Sequence, residues 1–200
     1  MKILLVDACL RREESRTLRL TGAFLDEFCQ AVPDAAVTVH CLPEMRLQPI
    51  DREALNLRES LCDQRAWEHP FLRPAVEFNQ ADLVVFAAPY WDLSFPSMLK
   101  VWVEHIYVRN LNFHYEHDRC IGTAGAKAAA YIATAGSPVG DNDWGAMYMQ
   151  AVMKSLGVGE FASIRAEGID LDTCDVQSAL KDAEGRARAA ARRLSELYQN

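Results

Sequence analysis

Three groups of residues have the types and spacing to do chemistry. Tyr90, Trp91, Asp92 and Ser94 stand in a loop that opens at Pro89 and closes at Pro96, with Leu93 and Phe95 between them. Aromatic and polar side chains in one loop suit a flat ligand with hydrogen-bonding edges. Ser15, Arg16 and Thr17 form the second group. At the start of a helix their hydroxyls and the first-turn N–H groups would face an anion, which the helix dipole also favours. Arg11 and Arg12 stand nearby to add positive charge. The third group is Thr134-Ala135-Gly136-Ser137, followed by Pro138-Val139-Gly140-Asp141. It is small and glycine-bearing, so a planar group can approach its backbone. Each group also has a plain structural reading: a βα connection, a helix cap and a tight turn.

The elements around them position all three. Residues 82–88 are a near-continuous apolar run, as expected of a parallel strand covered on both faces. Pro96 fits the first turn of the next helix. There Leu99, Trp102, Val103, Ile106 and Tyr107 recur at helical spacing, as core or subunit contact. Residues 2–6 make the first strand. A polar loop then leads to Ser15, an N-cap, and a helix with Leu18, Leu20, Phe24, Leu25 and Phe28 on its apolar face. Residues 35–42 form a second strand. Residues 43–56 have weak periodicity and read as a surface excursion. A helix follows from about 57 or 67 to 80, interrupted near Pro70 and Pro74. Residues 111–116 are aromatic and irregular. Gly122 and Gly125 flank the turn before a strand at 127–134. The helix at 142–156 turns Met147, Ala151, Val152 and Leu156 inward, and residues 161–166 form the last strand. A closing helix at 175–198 carries Val176, Leu180, Ala183, Ala187, Ala190, Leu194 and Tyr198 three or four apart, its arginine-rich face in solvent. This alternation predicts a single α/β domain over 1–200, a three-layer, doubly wound, five-stranded parallel sheet. In strand order 2-1-3-4-5, the loops after strands 1, 3 and 4 converge beside the switch point. Those are the three loops that carry the candidate residues.

Composition narrows the ligand. Lys+Arg 21 against Asp+Glu 28 gives a net charge of −7, which argues against nucleic acid or an anionic membrane as the main partner. No run reaches the ~18 apolar residues of a membrane span. The N-terminal apolar run is short and is cut by Asp7, unlike a signal peptide. Cys9, Cys29, Cys41, Cys62, Cys120 and Cys174 form no C-x-x-C pair and read as reduced thiols of a cytoplasmic protein. His40-Cys41 is the only close His/Cys pair and reads as strand-end packing, so no metal is expected. The first βα turn has no glycine before Gly22, which disfavours a dinucleotide fingerprint. Neither a Walker A loop nor a G-x-S-x-G elbow is present. A mononucleotide remains, its phosphate on the first helix and its flat ring against the other two loops. Flavin mononucleotide (FMN) fits.

The chain resembles the flavodoxin-like NAD(P)H-dependent FMN reductases, the family of FMN-dependent azoreductases and NAD(P)H:quinone oxidoreductases. The likeness runs nearly end to end. It rests on Ser15-Arg16-Thr17, on Pro89-Tyr90-Trp91-Asp92-Leu93 with Leu99-Lys100, and on Phe113-His114-Tyr115. Thr134-Ala135-Gly136-Ser137 and Ala166-Glu167-Gly168-Ile169 complete it. The resemblance implies that Ser15, Arg16 and Thr17 hold the FMN phosphate. It implies that Pro89, Tyr90, Trp91, Asp92 and Leu93 line the ring, with backbone bonds to its nitrogens, and that Thr134, Ala135, Gly136 and Ser137 contact its pyrimidine edge. His114 and Tyr115 are the candidates to shape the acceptor side or donate a proton. A surface role in a mobile loop is the alternative for both. The implied activity is ping-pong hydride transfer from NADH or NADPH, through the flavin, to a quinone, azo or nitro compound, in a homodimer. A flavodoxin-like electron carrier, or a flavin-free interaction protein, is the alternative. Ala8, where relatives offer a serine, and Ser137-Pro138, where relatives often have a second glycine, depart from the family pattern.

Overall fold

The structure, a computed structural model, describes residues 1–199. Its centre is a parallel sheet of β1 (Lys2–Asp7), β2 (Ala36–Cys41), β3 (Leu83–Ala87), β6 (Ala128–Thr134) and β7 (Glu160–Ala166), in the order β2-β1-β3-β6-β7. This is the expected 2-1-3-4-5 order. Leu5 pairs with Val85, Val85 with Ala130 and Ala130 with Ala162 across four strands. Side chains alternate between faces along each strand. Ile3, Leu5, Val85 and Ile132 meet Phe24 and Phe28 of α1 (Arg16–Ala31) and Leu180 and Leu194 of α7 (Val176–Ser195). Ala183, Ala187 and Ala191, all fully buried, let α7 lie close to α1. On the other face, Leu4, Val6, Phe86 and Tyr131 pack on Leu99, Trp102 and Ile106 of α5 (Ser97–Ile106) and Met149 and Met153 of α6 (Trp144–Ser155). Three edge-on aromatic contacts, with Phe78, Phe86 and His40, lock Trp102.

Five local expectations need correction. The 43–56 excursion contains a short helix, α2 (Leu42–Met45), and the start of α3 (Arg52–Gln64). Asp51 caps α3 by accepting from the Ala54 N–H at 2.9 Å. Most of this helix is polar and exposed, so it carries little periodicity. The remainder of the expected 57–80 helix is a 3-10 turn at Pro70–Leu72 and α4 (Arg73–Asn79). The irregular 111–116 segment is instead the first arm of a hairpin, β4 (Phe113–Glu116) paired antiparallel with β5 (Arg119–Gly122). Its two-residue turn, His117-Asp118, has positive φ at both positions, the geometry that suits the twist of a hairpin. In α6, Met147 and Ala151 face outward, while Ala146, Met149 and Met153 join Val152 in the core. Pro96 is the N-cap of α5 rather than its first residue.

Buried His40 ties β2 to this core. Its Nδ1 accepts the Trp102 indole N–H at 2.9 Å, so Nε2 carries the proton and donates to Glu77 at 2.5 Å. Burial lowers the His40 pKa against the opposing pull of the Glu77 carboxylate.

Candidate active site

The chain leaves β1 at Asp7, whose buried carboxylate shapes the next turn. It accepts the Cys9 N–H at 2.8 Å and the Arg12 guanidinium at 2.5 Å. Arg12 itself has φ of 50°. Arg12 therefore pins the loop to β1, and of the two arginines only Arg11 lines the cleft described below. Ser15 caps α1, its Oγ accepting from the Leu18 N–H at 3.2 Å. The first-turn N–H groups of Arg16 and Thr17 lack an i−4 carbonyl partner, as at any helix start. The Thr17 hydroxyl meets the Thr134 hydroxyl at 2.7 Å, both buried. This bond uses one of the two hydroxyl protons and fastens the start of α1 to the end of β6.

The loop after β3 approaches from the other side. The Tyr90 N–H donates to the Thr134 carbonyl at 2.9 Å. Trp91 and Ser94 exchange two backbone bonds, of 3.1 and 2.7 Å, around Asp92 and Leu93. Asp92 and Leu93 have φ of 49° and 68°. A left-handed residue other than glycine costs about 1–2 kcal/mol, so this turn holds strain beside the cleft. Its strand-like partner in the wall is the loop after β6. Ala135 donates to the Ala166 carbonyl at 2.8 Å, and its own carbonyl accepts from Ile169.

One cleft joins these loops at the carboxyl end of the sheet. Ser15, Arg16, Thr17, Pro89, Tyr90, Trp91, Thr134 and Gly136 line it. The expected Asp92, Leu93, Ala135 and Ser137 do not: Asp92, Leu93 and Ser137 are exposed at its margin and Ala135 is buried behind it. His114 and Tyr115 lie elsewhere. Helix α5 carries the chain from the carboxyl end of β3 back to the amino end of the sheet, and the β4–β5 hairpin packs there against the end of α6. Within one chain, neither residue reaches the cleft.

Ile169, the end of the Ala166-Glu167-Gly168-Ile169 motif, also lines the cleft, as do Cys9, Leu10, Glu14 and Asp170, which the sequence does not mark as ligand-facing. Cys9 is buried, and burial pushes its thiol up to about 12, so it stays neutral. Asp170 follows directly on the Ala166-Glu167-Gly168-Ile169 motif. Nothing in the spacing shows that this edge loop folds back over β6. Backbone bonds from Ile169 to Ala135 and from Asp170 to Gly136 bring it there, and the Asp170 carboxylate then meets Arg16 Nη1 at 2.7 Å.

A cleft at the switch point of a doubly wound sheet, with a helix N-terminus on one wall and strand-end loops on the other, defines an α/β protein built for a nucleotide-like ligand. The chain belongs to the Flavodoxin_2 family, of flavodoxin-like fold, whose profile matches residues 1–191. It is 28% identical over 194 residues to an FMN-dependent NADH:quinone oxidoreductase of Clostridium beijerinckii, covering 96% of this chain and 98% of that protein. Among solved structures it resembles an FMN-dependent NADH-azoreductase from Bacillus anthracis in complex with FMN (TM-score 0.83, 21% identity, 97% of this chain and 99% of that one). It also resembles an NAD(P)H:quinone oxidoreductase from Methanothermobacter marburgensis (TM-score 0.71, 19% identity, 97% and 98%). Among the described residues, no helix is long and apolar enough to cross a membrane, and no cluster of three metal-ligating side chains occurs.

Proposed function

We propose that this protein is an FMN-dependent oxidoreductase that takes electrons from NADH or NADPH and passes them to a quinone, azo or similar acceptor. In this reading residues 1–200 form one flavodoxin-like unit that works in the cytoplasm as a homodimer. The observation that carries it is the convergence of the α1 N-terminus with the 89–91 and 134–136 segments in one cleft. The full-length relatives named for FMN-dependent quinone and azo reduction support the same reading.

The residues present fit FMN. The free N–H groups of Arg16 and Thr17 and the Arg16 guanidinium are a donor set for a phosphate. The Ser15 hydroxyl, engaged in the cap, serves by fixing that turn. Trp91, half exposed, gives a flat ring an aromatic wall. The Asp92 and Leu93 N–H groups, in the turn next to Trp91, are the backbone donors this reading assigns to the ring edge. Bound FMN would supply the two-electron chemistry between donor and acceptor. The chain's part is to hold the ring, exclude water from one side of it and offer backbone donors to its polar edge. Within one chain no side chain is required as a catalytic acid, and His114 and Tyr115 could act only across a dimer.

The test is an anaerobic visible spectrum of the FMN-loaded protein with NADH or NADPH. The flavin absorbance should bleach and return on adding a quinone. Bound flavin that neither nucleotide bleaches would favour an electron carrier, the second reading.

A further inference from the structure

We propose that Asp170 is an internal stand-in for the flavin phosphate. It holds the Arg16 guanidinium at the cleft until a phosphate dianion takes that guanidinium over. This rests on the flavin reading above and deepens it, because it names a residue that sets the site's response to a phosphorylated ligand.

The geometry is specific. Arg16 Nη1 meets Asp170 Oδ1 at 2.7 Å and the Ile169 carbonyl at 3.5 Å, and Arg16, Ile169 and Asp170 line the same cleft. The Asp170 N–H is fixed on the Gly136 carbonyl at 3.0 Å. A Cβ at Gly136 would lie 2.4 Å from Asp170 Oδ2, so the missing side chain there is what leaves the carboxylate its place. Charge on the cleft wall is balanced: Arg11 and Arg16 stand against Glu14 and Asp170. A cleft already neutral needs one of its acids displaced before it can favour a dianion.

The pair is built to exchange. The side chains of Arg16 and Asp170 are 40% and 69% exposed, and ion pairs so open to water hold weakly. A phosphate monoester carries between one and two negative charges and three acceptor oxygens. Its oxygens match the fork of a guanidinium, and the N–H groups of Arg16 and Thr17 add donors that Asp170 does not use. The phosphate therefore wins Arg16. Asp170 then stands beside a dianion as a like charge, so its carboxylate opposes FMN binding both before and after the exchange. Riboflavin, which lacks the phosphate, is indifferent to it.

Flavin-free wild type, Asp170→Asn and Asp170→Ser are titrated with FMN and with riboflavin, following flavin fluorescence. Both variants should bind FMN about three- to fivefold more tightly than wild type, the scale of an exposed ion pair. Riboflavin affinity should stay unchanged. Unchanged or weaker FMN binding in the variants, or a parallel change with riboflavin, would overturn the inference and make Asp170 a brace for Arg16 instead. A wild type that does not prefer FMN to riboflavin would overturn the phosphate reading itself. A wild type that does prefer it, with variants that gain nothing, would overturn this inference alone.

Discussion

The two ends of the sheet are built on different terms. At the amino end the chain is closed by contact. Gly122 of the hairpin lies so close to α6 that a Cβ there would sit 2.0 Å from the Leu156 carbonyl carbon, and one at Gly125 would sit 2.5 Å from the Asn79 carbonyl oxygen. The Asn79 amide bridges the carbonyls of Leu111 and Thr123, and Thr123 returns a bond to Leu111. At the carboxyl end the loops are joined by a few bonds between neighbours. Two non-glycine residues hold left-handed conformations in one turn, and Trp91 and Leu93 stand exposed. Packing has been completed at one end and withheld at the other. Left-handed non-glycine pairs and exposed apolar side chains occur at both ends, His117-Asp118 with Tyr115 in the hairpin and Asp92-Leu93 with Trp91 at the carboxyl end, and the second set borders an open cleft.

The difference can be broken from the amino end first, where the largest effect is expected. Gly122→Ala forces a methyl group into the backbone of Leu156 and should cost about 3 kcal/mol in urea unfolding, the upper range for overpacking. FMN affinity of the folded fraction should not change. Breaking the carboxyl end should do the reverse. Ser15→Ala with Thr17→Ala removes the cap and the bond to Thr134, and should cost about 2 kcal/mol of stability together. Its larger signature is at least about tenfold weaker FMN retention on desalting, from loss of the ordered first turn. Unchanged flavin occupancy would remove the phosphate from this turn.

A smaller effect sharpens the comparison, because it should touch the core between the ends and leave ligand binding alone. The folded His40 pKa lies below its usual value, so the unfolded chain binds the proton first as pH falls through about 6.5. Stability from this group is complete above that pH and declines below it. Glu77 at Nε2 and Trp102 at Nδ1, with Arg73 beyond Glu77, set the site. Thermal melts should show a steeper loss between pH 7.5 and 5.5 for wild type than for His40→Gln. Equal slopes would contradict the assigned role of His40.

The sheet was legible because its central strands are apolar on both faces, as in Leu83–Ala87, and because βα alternation leaves few topologies. The cleft was legible at Ser15–Thr17, Pro89–Trp91 and Gly136, since topology alone brings those loops together. Three things were hidden. The hairpin turn, His117-Asp118, lacks the Asn-Gly type of signature that announces positive φ. Helix α6 carries apolar residues on its exposed side, Trp144 and Met147, so its inward face could not be told from composition. Asp170 enters the site through backbone bonds of Ile169 to Ala135 and of Asp170 itself to Gly136, which no residue type encodes.

The central claim is that the first turn of α1 and the strand-end loops bind FMN together. Amide chemical-shift mapping with FMN tests it most directly. The largest shifts should fall on Arg16, Thr17, Tyr90 to Leu93 and Gly136. Shifts confined to the groove between α5 and α6, around Val103, Tyr107 and Tyr148, with Arg16 and Thr17 unmoved, would contradict it.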